Sequence, residues 1–321
     1  MLIQVPLPAT AGFVDPPFVN VGEMTNTGID LAINYRDEID DFKYDIGFNI
    51  SSYKNNIDRL GDNPDFAIAG AQARSFRLTR TQVGSPLSYF YGLDVEGIFN
   101  TEAEVSASAD QGFSTPSDGL GRFKYRDVNG DGTIDQNDRT LIGNPHPDFT
   151  YGFNVNLAYK NFDFTLFLQG SQGNDLYNFT KYFSDFSGVF FQSGKGTAVL
   201  DAWSPSNPNG SVPALSSGTP NKEVEPNSYF VEDGSYLRFK NVQLGYTLPS
   251  SITDKWGLSK LRLFIQGKNL FTFTKYSGLD PELSLRSFSE SDASSANLDI
   301  GVDRGAYPVA KTILMGLNID L

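Results

Sequence analysis

From Phe149 to Tyr159 the chain alternates without a slip. Phe149, Tyr151, Phe153, Val155, Leu157 and Tyr159 fall on one side, and Thr150, Gly152, Asn154, Asn156 and Ala158 on the other. Period two is the mark of a strand, whose successive side chains point to opposite faces of its sheet. After Lys160 and Asn161 the alternation restarts, with Phe162, Phe164, Leu166 and Leu168 set against Asp163, Thr165 and Gln169. The spacing predicts a hairpin with a tight turn and one wholly apolar face.

The same pattern recurs along the chain. Ile29, Leu31, Ile33 and Tyr35 alternate with Asp30, Ala32 and Asn34, and the short acidic turn "DEIDD" leads into Phe42, Tyr44, Ile46, Phe48 and Ile50. Between residues 235 and 248, Leu237 and Phe239 are out of phase with Val242, Leu244 and Tyr246, which predicts a β-bulge at Lys240 and Asn241. Leu261, Leu263 and Ile265 alternate with Arg262, Phe264 and Gln266, and a last strand is expected through Tyr307, Val309, Ile313, Met315, Leu317, Ile319 and Leu321.

Strands of globular domains usually run about five or six residues, whereas about 9–11 tilted residues cross a bilayer. Several strands here have the longer reach, and their apolar faces carry aromatics near the ends, as at Tyr151 and Tyr159. Very short turns alternate with long connections, read as 53–88, 171–234 and 274–306. Short turns on one side and long loops on the other, with aromatic girdles between, describe an antiparallel transmembrane β-barrel. A large soluble β-protein is the competing fold, but it must bury so wide an apolar face against a second sheet. Within the connections, "TEAEVSASA" predicts a short helix with Thr101 as N-cap and Glu104 closing a capping box.

Composition agrees with strands: 26 Phe and 15 Tyr accompany only 2 Trp, with 31 Gly for the turns. A net charge of −13 argues against nucleic acid as a partner. With no cysteine, disulfides and thiolate metal sites are excluded. The single histidine, His146, stands between Pro145 and Pro147, a poor setting for an oriented catalytic base, and the acids fall mostly in connections rather than as a fixed pair. "GSQG" at 170–173 lacks the spacing of a nucleophile elbow. No enzyme is expected. No apolar run is long enough for a transmembrane helix. The opening "MLIQVPLPATAGFVDPP" has no basic n-region and does not read as a secretory signal, as if Met1 were not the natural start.

The segment "DVNGDGTIDQND", residues 127–138, has the oxygen spacing of an EF-hand calcium loop. Asp127, Asn129 and Asp131 take positions one, three and five, Gly132 the sharp turn, the Thr133 carbonyl position seven and Asp135 position nine. Asp138 stands where a longer, bidentate Glu is usual, so a weaker site is expected. The plainer reading is turn chemistry alone, since Asp, Asn and Gly favour turns for their own reasons. A calcium sensor needs a helix on each flank. Here "GRFKYR" precedes the loop and the proline-broken "LIGNPHPDF" follows it, so a structural clip is expected rather than a switch.

Several strings in order resemble one family, the SusC/RagA-type TonB-dependent transporters of Bacteroidetes. They are "GRFKYRDVNGDGTIDQNDRTLIGNPHPDFTYGFNVNLAYKNFDFTLFLQGSQGNDLYN", "SYLRFKNVQLGYTLP", "LRLFIQGKNLFTFTKYSGLDPEL" and the closing "YPVAKTILMGLNIDL". The resemblance runs from Tyr91 to Leu321, although Leu321 departs from the aromatic often found last in such barrels. It implies that residues 1–321 are the carboxy-terminal part of a barrel of 22 strands. A plug domain, a signal peptide and the TonB-contacting segment are then expected outside this chain. It further implies a bacterial outer-membrane location and import of oligosaccharides or peptides. The implied partners are a SusD-like surface lipoprotein, the TonB system and outer-membrane lipid, with structural calcium in the loop. The alternative is a soluble or surface glycan-binding β-protein braced by calcium.

Overall fold

The computed structural model describes residues 2–4, 18–20, 22–61, 66–70, 72–190, 192–283 and 298–321. Most of the opening stretch 1–17, from which the absence of a signal was inferred, lies outside these residues, as does 284–297 of the third long connection.

Seven long strands form one antiparallel sheet in which neighbours in sequence are neighbours in space. They are β1 (Gly22–Ile39), β2 (Phe42–Leu60), β3 (Phe149–Tyr159), β4 (Phe162–Gln172), β5 (Tyr236–Thr247), β6 (Lys260–Lys268) and β7 (Thr312–Asp320). A short strand, Thr272–Thr274, pairs with the start of β5. Tight turns at Asp40–Asp41 and Lys160–Asn161 begin with a left-handed residue, φ 52° at Asp40 and 51° at Lys160, which reverses the chain within two positions.

The pairing register carries the apolar positions into line. Tyr44, Leu157, Phe164, Leu244, Ile265 and Met315 are successive cross-strand partners from β2 to β7, and Ile33, Phe48, Phe153, Leu168 and Phe239 form another row. Among the described residues no second layer covers this face: Met315 is 80% exposed and Ile313 69%. In water so broad an uncovered face is an association site, whereas in a bilayer it is the surface that meets lipid. At the short-turn end Tyr35 and Tyr44 lie 5.8 Å apart between ring centroids, and Phe162 and Tyr246 4.7 Å apart. The other end carries Phe149 with Tyr151 and Phe239 with Phe271. These two bands are the aromatic girdles expected of a barrel wall.

The bulge lies where the phase slip placed it. Phe167 pairs with Asn241 and Leu168 with Phe239, so Lys240 is the extra residue, and it falls on the same face as Asn241. Three boundaries differ from expectation. β2 continues through Tyr53 to Leu60, pairing with Gly22–Gly28, so the connection read as beginning at 53 begins at 61. It then runs as one excursion to residue 148, containing the 127–138 loop. Tyr307 and Val309 precede β7 instead of opening it, because Pro308 has no N–H and the Val309 amide bonds the Asp280 carboxylate at 2.9 Å.

The main buried core belongs to the connections, and the long sheet adds to a smaller cluster only at the end of β2, where Ile57 and Leu60 are buried. Leu78, Phe90, Leu93, Phe123, Tyr125, Ile134, Tyr177, Phe179, Phe186, Val189 and Phe230 pack together, drawn from 61–148 and 173–235. Short strands frame them: Tyr89–Gly92 with Thr140–Gly143, Val95–Ile98 with Phe123–Tyr125, and Asp175–Asn178 with Val231–Asp233 and Val302–Asp303. The helix Glu102–Ala107 carries the capping box read from sequence, the Glu104 amide donating to Thr101 Oγ1 at 3.2 Å.

Candidate functional site

The loop 127–138 lies between two strands, Phe123–Tyr125 and Thr140–Gly143, rather than between two helices, and its last three residues, Gln136–Asp138, form a single turn. Its residues fold onto their own amides. Asp127 accepts from Gly130 N at 2.7 Å and Gly132 N at 2.9 Å, Asn129 from Asp131 N at 2.9 Å, and Asp131 from Thr133 N at 2.9 Å. Gly130 and Gly132 have φ of 74° and 83°, conformations that a Cβ would strain. Beyond the turn, Ile134 is buried, its amide bonds the Asp110 carbonyl at 2.8 Å, and the Lys222 ammonium bonds its carbonyl at 2.9 Å. The loop is thus tied to two other parts of the connections.

Asp138 differs from the other acids of the loop. It is fully buried, and its carboxylate accepts from Val128 N at 2.9 Å and Asp135 N at 2.7 Å. Burial by itself raises an acid, but the amides of Asp135, Val128 and Asn129 outweigh it and hold Asp138 below its ordinary value. Asp127, Asn129, Asp131 and Asp135 remain partly or fully exposed. Among the described residues no three His, Asp or Glu side chains stand close enough together to hold a metal as they are. The donor set nevertheless suits a hard cation in kind: every side chain offered is an oxygen ligand, carried on a loop whose glycines already make the turn.

On the sheet's polar face, Asn154, Asn156 and Gln169 are set away from the apolar rows, as their phase in the alternation predicts. Asn34, Gly47, Asn49, Gly152, Asn154 and Gln169 line a depression of about 460 Å³ there. Near the long-connection end this face holds a cluster that sequence reasoning missed. Arg238, 3% exposed, pairs with Asp280, 6% exposed, and with Glu282 at 2.6 Å, while Lys240 of the bulge reaches Glu282 at 2.6 Å. Burial raises Asp280, but Arg238 and the amides of Val309 and Glu282 prevail and hold it low. Basic residues at alternate positions, Arg238 and Lys240, just before the phase slip of this strand were the available signal.

Aromatic side chains of the connections that could stack a ligand are engaged in packing and hydrogen bonds instead. Tyr89 is buried, the Trp203 indole donates to Asn100 at 2.7 Å, Tyr229 donates to Asp185 at 2.6 Å, and Tyr276 donates to Asp303 at 2.7 Å. The Arg80 guanidinium sits 4.6 Å over the Tyr91 ring. His146 places Nε2 2.8 Å from the Leu87 carbonyl oxygen. A second missed pair, Arg122 and Glu223 at 3.1 Å, is buried in the connections, where burial, opposed by Arg122, pushes the Glu223 carboxyl up to about 7. These partners lie 101 positions apart, so no local pattern announces them.

No family model matches the chain. Curated relatives do. A TonB-dependent receptor, P3, of Formosa agariphila is 37% identical over 332 residues, covering 99% of this chain and 31% of its own length. The TonB-dependent receptor SusC of Bacteroides thetaiotaomicron is 28% identical over 332 residues, covering all of this chain and 29% of its own length. The solved structure of the RagAB peptide transporter superposes with a TM-score of 0.74 at 24% identity, over 99% of this chain and 31% of that one. The chain therefore spans about a third of the length of the relatives it matches. Identity sustained from end to end, on a seven-strand meander with a lipid-type apolar face, fixes the family: the chain belongs to the SusC/RagA-type TonB-dependent receptors, as part of their β-barrel.

Proposed function

We propose that this chain is the carboxy-terminal part of an outer-membrane importer that takes up oligosaccharides or peptides, energised through TonB and covered outside by a SusD-like lipoprotein. The observation that carries the reading is the end-to-end match to TonB-dependent receptors of about three times the length, on a sheet whose outer face is apolar from β1 to β7. The polar face of the wall supplies the route, and the packed connections supply the external surface on which substrate and lipoprotein meet. Plug, signal and TonB-contacting segment belong to the rest of the longer protein. Fractionated cells, blotted with an antibody against residues 205–222, are expected to show a band far heavier than 35.3 kDa in the outer-membrane fraction. Disrupting the coding segment should then abolish growth on one class of oligosaccharide or peptide. A soluble band near 35.3 kDa would end the transport reading.

We also infer that Asp127, Asn129, Asp131, Asp135 and the Thr133 carbonyl hold a calcium ion, with Asp138 bracing the loop from below. The cation would supply positive charge that draws the exposed carboxylates together and stiffens the connections. Chelating calcium from detergent-extracted protein is expected to open residues 127–138 to protease while the strands stay protected. Asp131→Ala should reproduce that cleavage with calcium present. Identical cleavage with and without chelator in the unmodified protein would leave turn chemistry as the whole account.

A further inference from the structure

We propose that an outward aromatic shelf at the long-connection end of β5, flanked by Lys275 and Lys311, binds a phosphate-bearing lipid of the external leaflet. This rests on the membrane reading above. Leu237 and Phe239 face outward before the bulge, and the pairing of Leu237 with Phe273 sets Phe271 and Phe273 on the same face. The Phe239 ring lies 6.0 Å from Phe271 and 6.1 Å from Phe273, yet Phe271 and Phe273 remain 58% and 60% exposed. Rings at this level suit the boundary between acyl chains and headgroups.

Two exposed cations lie one residue beyond the ends of the neighbouring strands. Lys275 follows Phe273, and Lys311 comes two residues before the outward Ile313, beside Asn269, whose side-chain amide donates to the Ala310 carbonyl at 3.2 Å. Both lysines are exposed, and among the described residues neither takes part in an ion pair. Asp233 is the acid nearest in effect to Lys275, but its carboxylate is held chiefly by the hydroxyl and amide of Ser235. The short-turn end is the opposite case: Lys43 pairs with Glu38 at 3.0 Å and Lys160 with Asp41 at 4.0 Å.

The occupant follows from position and charge. Phe239 ends a row of the lipid-facing surface, so the shelf is continuous with the face that acyl chains cover. In a chain of net charge −13, two exposed lysines at strand ends beside that shelf, neither in an ion pair among the described residues, offer positive charge complementary to phosphate. A lysine at such a boundary can lay its apolar stem along the acyl region and carry its ammonium to the headgroup level.

Native mass spectrometry of the detergent-extracted full-length protein tests this, with phosphatidic acid and a diacylglycerol of the same acyl chains as probes. Phosphatidic acid is expected to be retained preferentially, and Lys275→Gln/Lys311→Gln to reduce that preference about fivefold per lysine. Lys43→Gln/Lys160→Gln should leave it unchanged, and Phe271→Ala/Phe273→Ala should weaken retention of both lipids. An unaltered preference in Lys275→Gln/Lys311→Gln, or none in the unmodified protein, overturns the site. Loss of a dimer with lipid retention intact assigns the shelf to a second copy and also overturns it. Absence of the protein from the membrane fraction removes the transport reading itself, a result distinct from both.

Discussion

Arg238→Met is expected to destabilise the detergent-extracted protein by about 3–5 kcal/mol, because it leaves a buried carboxylate without its counter-charge. Asp280 keeps its amide donors from Val309 and Glu282 but loses the guanidinium, and Glu282 retains only Lys240. The damage should be local before it is global. Asp280 and Glu282 anchor the segment after Thr272–Thr274 to the inner face of β5, so residues 275–283 are the first expected to be cut by protease. The pH dependence has a definite sign. In the native protein the depressed Asp280 contributes stability above its unfolded pKa that is lost as pH falls through the lower folded value. In the variant, burial acts unopposed by Arg238, so the penalty should be larger at pH 7.5 than near pH 4.5. Asp280→Asn in the Arg238→Met background should restore part of the loss. Additive single effects in that double variant would show that the two groups do not act as a pair.

The second large effect separates lipid from lumen with neighbouring residues. Val155→Lys, near the middle of β3, is expected to cost about 2–4 kcal/mol in barrel assembly, the penalty for a charge on the lipid face near the midplane. Asn154→Lys places the same charge one residue away but on the polar face, beside Gly47 and Phe167, and should cost far less. The comparison is read as the fraction of each variant recovered folded in the outer membrane and as its urea midpoint after extraction. Equal penalties at the two positions would contradict the assignment of faces. A larger penalty for Asn154→Lys would reverse it.

The parts of the fold legible in the sequence were those where one face meets lipid and the other does not. From Phe149 to Gln169 that contrast holds except at Phe167, which sits on the polar face between Asn154 and Asn241, and the strands, the turn and the register followed from it. At Lys240 the change of phase gave the bulge. The contrast fails in 22–28 and 53–60, where pairing continues into polar surroundings: Asn26 bonds Asn55 at 2.6 Å and Tyr53 bonds Asp30, with polar side chains on both faces. Alternation therefore undercounts β1 and β2. The core of the connections was illegible for a different reason. Its strands are short, and its partners are remote in sequence, as Leu93 is from Asn227 and Gln111 from Asn221. The candidate calcium loop stood out because its ligands are local, whereas Arg238 and Asp280 are brought together only by the return of the chain.

Because the packed core outside the membrane draws on separate connections, it acts as a stitch across the wall. Sliding one hairpin past its neighbour by two residues would preserve every inward and outward side chain, so lipid alone discriminates weakly between such alignments. Yet it would shift Phe90 and Phe123 by two strand positions against Tyr177 and Phe230. The residues that never touch the bilayer thereby proofread the alignment of those that do.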